Sequence, residues 1–65
     1  MKIREDKLEE LKWFGFKPDK RKDVLCSVND ELFGEIAKVG VDRELYISNL
    51  SDDLIFRLMG AGVIE

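Results

Sequence analysis

From Arg43 onward the chain carries its clearest pattern. Leu45 and Ile47 alternate with Tyr46 and Ser48, the period-two signature of a strand with one buried face. Asn49 and Ser51 follow as N-cap residues, whose side-chain oxygens can accept hydrogen bonds from the unpaired amides of a first helical turn. Asp52 and Asp53 then place negative charge at the positive end of the helix dipole, worth about 0.3–1 kcal/mol each. At 100° per residue, Leu54, Ile55, Leu58 and Met59 fall within an arc of about 140°, which predicts an amphipathic helix with those four side chains toward the core. Phe56 lies about 60° outside that arc. Gly60 and Gly62 offer left-handed C-cap conformations, and Val63 and Ile64 can fold back on the last turn.

Upstream, Lys2 to Phe14 contains no Gly or Pro and is rich in Glu, Lys and Leu, which predicts a first helix. Ile3, Leu8, Leu11 and Phe14 span an arc of about 140°, with Trp13 about 80° beyond its edge, and Gly15 supplies a stop. Residues 16–23 hold the only proline and read as an exposed loop with Phe16 tucked inward. Val24–Val28 is a strand, with Asn29-Asp30 as a tight turn after it.

Residues 31–41 admit two readings. A hairpin centred on Asp42-Arg43-Glu44 needs a strand before its turn, which favours a strand placing Phe33, Ala37, Val39 and Val41 on one face despite Glu35. The expected fold is therefore α+β, a small two-layer domain over residues 1–65. An N-terminal helix, a three-stranded antiparallel meander and a C-terminal helix follow one another, with both helices on one face of the sheet. If residues 31–38 are helical instead, the chain is mostly α and winged-helix-like.

Length limits what such a fold can bury. A chain of 65 residues removes only about 60% of its unfolded surface from water, so dimerisation would be a natural supplement. The single Cys26 has no disulfide partner, and without histidine it cannot make a structural zinc site; this suits a reducing cytoplasm. No apolar run approaches the ~20 residues needed to cross a bilayer, and the charged MKIREDKLEE start is unlike a signal peptide. A cytoplasmic location without membrane contact is expected. The net charge of −3 divides unevenly, eight positive and six negative groups in residues 1–29 against three and eight in residues 30–65.

Few residues invite chemistry. Cys26 lacks a base to activate it and reads as a small strand residue in the core. Glu9-Glu10 and Asp52-Asp53 point about 100° apart on a helix and cannot converge on one proton or metal. Gly60-Ala61-Gly62 follows its helix instead of preceding one, so it is no phosphate loop. The acidic second half is too weakly charged for a mimic of nucleic acid. No catalytic residue, cofactor or metal is expected.

Two binding readings remain. Trp13 and Phe56 fall outside their helices' apolar arcs and, with Tyr46, are candidates for contact with a protein partner or a second copy. Lys17, Lys20, Arg21 and Lys22 lie beside Trp13, Phe14 and Phe16, a mixture that suits phosphates and bases. The first reading makes the chain a non-catalytic interaction or regulatory module, of the size often encoded by phages and mobile elements; the alternative makes it a small nucleic-acid-binding transcriptional regulator.

Overall fold

Leu8, Leu11 and Phe14 recur at intervals of three, and the segment that carries them, Glu5–Phe14, is a 3₁₀ helix in the computed structural model, which describes residues 1–48 and 51–65. With three residues per turn, such side chains stack in a single row. Leu11 is buried, and Leu8 and Phe14 pack half-buried against the core beside it. Trp13 stands about 120° around the helix from that row and projects into solvent. Gly15 ends the helix at φ 93°, its amide turned back to the carbonyls of Leu11 and Lys12, a left-handed geometry that glycine adopts without steric cost.

The helix starts at Glu5, not at Lys2. Lys2 and Ile3 are extended instead, bridging Glu44 and Ile64 respectively. The amide of Ile3 donates to the Arg43 carbonyl at 2.8 Å, and that of Arg4 to the Val63 carbonyl at 2.8 Å. Ile3 is fully buried by this pairing, wedged between two distant segments. Arg43, at φ 66°, donates to the Ile3 carbonyl at 2.9 Å and lies 3.7 Å from the Glu65 carboxylate.

Four antiparallel strands form the sheet in the order β1 (Lys17–Pro18), β2 (Val24–Asp30), β3 (Gly34–Gly40) and β4 (Leu45–Ile47). The expected three-stranded meander is β2–β4; β1 is a two-residue addition inside the expected loop, placed at the edge where a proline's missing donor does no harm. Phe16 is buried just before it. The strand reading of residues 31–41 holds for Gly34–Gly40, which rules out the winged-helix alternative. Two details differ. The β2–β3 turn lies at Glu31–Phe33, not at Asn29-Asp30, because Gly34 at φ 80° takes the left-handed position that closes it. Phe33 therefore falls in that turn, and Val41 in the turn after β3, and both are exposed, while Ala37 and Val39 face the core.

Cross-strand register explains the core. Cys26, Val39 and Leu45 are aligned across the strands, as are Val28, Ala37 and Ile47. Leu11 from the first helix and Leu54 and Leu58 from the second join Ala37, Val39 and Leu45 in one cluster, so both helices cover the same face.

The second helix, α1, spans Asp52–Gly60. Leu54 and Leu58 are buried and Ile55 is half-buried, but Met59 is exposed, which corrects the expected four-residue stripe. The helix lies on a sheet only three to four strands wide, so a narrow stripe suffices. Of the two expected caps, Asn49 lies outside the described residues, and Ser51 makes no side-chain bond to the first turn; its hydroxyl donates to the Ser48 carbonyl instead. Gly62 alone of the two late glycines is left-handed, at φ 71°, since Gly60 is still helical. Val63 folds back as expected, fully buried, its amide 3.1 Å from the Leu58 carbonyl. No helix among the described residues is long and apolar enough to cross a membrane.

Candidate functional site

The helices leave one face of the sheet open. Lys17, Ser27, Lys38 and Tyr46 lie in register across it. Beside them, Asp19 accepts four hydrogen bonds: from the Arg21 amide at 2.8 Å, from Arg21 Nε at 3.0 Å, from Arg21 Nη2 at 2.8 Å and from Ser27 Oγ at 2.8 Å. The same guanidinium reaches across to Glu35 with bonds of 3.1 and 2.8 Å. Donors so arranged favour the charged carboxylate, and the Arg21 bonds, with Ser27 adding to them, hold the Asp19 carboxyl far below the usual carboxylate range. Its two carboxylate partners raise Arg21 in turn.

Of the four basic loop residues, then, Arg21 is engaged within the fold, whereas Lys17, Lys20 and Lys22 make no ion pair among the described residues. Phe14 and Phe16, which the sequence set beside them as stacking partners, are half-buried and buried. The loop therefore presents lysines without those aromatic surfaces.

The three candidate contact residues occupy two sides of the molecule. Trp13 is 78% exposed on the N-terminal helix, with Lys12 Nζ 5.8 Å from its ring centre. Phe56, 72% exposed, stands about 160° around α1 from the buried Leu54. Tyr46 lies on the open face of the sheet, its ring 5.8 Å from Lys38 Nζ. It flanks two shallow clefts there, one of about 260 Å³ with Glu35, Ile36 and Ser48, the other of about 310 Å³ with Asp23, Val41 and Asp42. Tyr46 thus cannot share a contact patch with the helix-borne aromatics.

Sequence periodicity missed one exposed apolar feature. Leu32 and Phe33, 87% and 60% exposed, form the tip of the β2–β3 hairpin. A polar turn was expected two residues earlier, and only the left-handed Gly34 marks the true position.

A fourth feature is a cleft of about 410 Å³ between the N-terminal helix and the β1–β2 edge, floored by Leu8, Leu11, Phe16 and Leu25. Cys26 also lines it. Burial pushes the Cys26 thiol up, and the Asp19 charge adds to that, the opposite of what a nucleophilic thiol requires. Among the described residues no group of three or more Cys, Asp or Glu is placed to hold a metal ion. Comparison with protein-family models, curated proteins and solved structures found no match to this chain.

Proposed function

We propose that the chain is a non-catalytic interaction or regulatory module that works by presenting apolar and aromatic side chains to a protein partner. The carrying observation is the exposure of Trp13 and Phe56 on helices whose opposite sides are anchored in the core. Large aromatic side chains on a rigid support lose little freedom on binding, and Trp is among the residues that most often dominate interface energies.

The nucleic-acid alternative rests on Lys17, Lys20 and Lys22, since Arg21 is held by Asp19 and Glu35. Three lysines in a chain of net charge −3 give a thin electrostatic footprint. Capture of the tagged chain from a lysate of its source organism, with and without nuclease, separates the readings. A protein partner that survives nuclease supports the interaction module. Recovery of nucleic acid, with all bound protein lost on nuclease treatment, overturns it.

A further inference from the structure

We infer that two copies of the chain pair edge to edge, the β2–β3 hairpin tip of each seated in the partner's cleft between the N-terminal helix and the β1–β2 edge. This deepens the interaction reading, on which it rests, by naming the occupant of one surface.

The two features complement each other in shape and charge. The tip offers Leu32 and Phe33, both exposed, with Asp30 and Glu31 immediately before them in the chain. Its backbone is braced by two bonds: the Asp30 carboxylate accepts the Leu32 amide at 2.8 Å, and the Asp30 carbonyl accepts the Phe33 amide at 3.2 Å. A tip fixed in this way gives up little conformational entropy on binding. The cleft offers an apolar floor of Leu8, Leu11, Phe16 and Leu25, and on its rim Lys12 and Lys17 outnumber Glu9. None of these three rim charges, nor Glu31, makes an ion pair among the described residues. Apolar side chains preceded by the unpaired Glu31 therefore meet an apolar floor whose lining carries two lysines and one glutamate, a match of charge as well as of polarity.

The arrangement also closes on itself. The cleft opens beside Leu25 and Cys26 on β2, while the tip begins where β2 ends at Asp30. Lys17 joins the two regions, lining both the cleft and a groove that runs past Asn29 to Glu31. With both features along one edge, a two-fold axis between them sets each tip on the partner's cleft, giving a closed dimer in place of an open chain. The contact also covers a vulnerable edge, because β1 pairs only with Cys26 and Ser27 and leaves Asn29 and Asp30 without a β1 partner. Each contact seats only two apolar side chains, Leu32 and Phe33. The dimer is accordingly weak and concentration-dependent.

Sedimentation of the full chain over a range of concentrations, at low and high salt, provides the test. The expected result is a monomer–dimer equilibrium that weakens with salt and is weakened about tenfold or more by Phe33→Ala, as for truncation of a central anchor. Glu31→Lys and Lys17→Glu should each weaken self-association, and mixing the two variants should restore it, because both contacts of the mixed dimer are again complementary. Circular dichroism of each variant confirms that the fold is retained. A monomer at every concentration overturns the pairing, as does a dimer that the charge reversals leave unchanged or that mixing fails to restore. Either result leaves Trp13 and Phe56 to be judged by capture of a foreign partner, whereas an intact dimer with no captured protein would confine the interaction reading to self-pairing.

Discussion

Asp19 is the residue on which the open side of the sheet turns. It draws Arg21 and Ser27 to one point, and Arg21 carries the connection on to Glu35 of β3. Its side chain is only 13% exposed, while its partner Arg21 stays open to solvent at 45%. Because folding holds this carboxyl well below its usual range, the unfolded chain takes up the proton first as pH falls. The stabilisation is fully present above the ordinary Asp pKa, near about 4, and is lost progressively below it. Asp19→Asn is therefore expected to lower the melting temperature at neutral pH and to flatten its fall under acid. An unchanged acid limb would show that other carboxylates govern it. Gly40 gives a second test at this scale. A Cβ there would stand 2.7 Å from Asp42 Oδ1, the oxygen that accepts the Glu44 amide at 3.0 Å, and 3.4 Å from the Tyr46 ring. Gly40→Ala must turn the Asp42 carboxylate aside and break its bond to the Glu44 amide, so urea unfolding should show a loss of about 0.5–1.5 kcal/mol, as for one hydrogen bond. A neutral result would mean that the turn relaxes freely.

Each secondary-structure element was legible to the extent that local periodicity determined it. The alternation at Leu45–Ile47 and the acids at Asp52-Asp53 marked β4 and α1 because both signals lie within a few residues of what they specify. Residues 31–41 were harder: Gly34 could be read as a weak helix or a weak strand, and only its left-handed role in the turn resolves it. The N-terminal helix is present but begins at Glu5, because the extended form of Lys2 and Ile3 depends on Glu44 and Ile64, partners far away in the chain that no local window includes. By angle alone Met59 belongs to the core stripe, yet it is exposed at the end of α1. The consequence is testable in α1. Leu58→Ala should cost about 2–5 kcal/mol, comparable to the whole stability expected of a core this small, while Met59→Ala should change stability by about 0.5 kcal/mol or less. Equal losses by denaturant titration would mean that Met59 packs in the folded chain.

For the whole molecule, one core cluster among the described residues joins the sheet, both helices and the two ends of the chain, and Trp13, Leu32, Phe33 and Phe56 are left outside it. Trp13 and Phe56 could be identified from the sequence, since each falls off its helix's apolar row. Leu32 and Phe33 could not, because their exposure follows from where a turn closes. The basic loop looked stronger in sequence than in space, where Arg21 is engaged with two carboxylates and Phe16 is buried. These placements support contact through aromatic side chains over contact through cations. The most direct measurement is capture by four forms of the tagged chain in parallel: wild type, Trp13→Ala, Phe56→Ala and the Lys20→Ala/Lys22→Ala double variant, with bound protein and nucleic acid both quantified. The account predicts that an aromatic substitution loses the bound protein while the double lysine variant retains it. Recovery that survives both aromatic changes and falls with the lysines would contradict it.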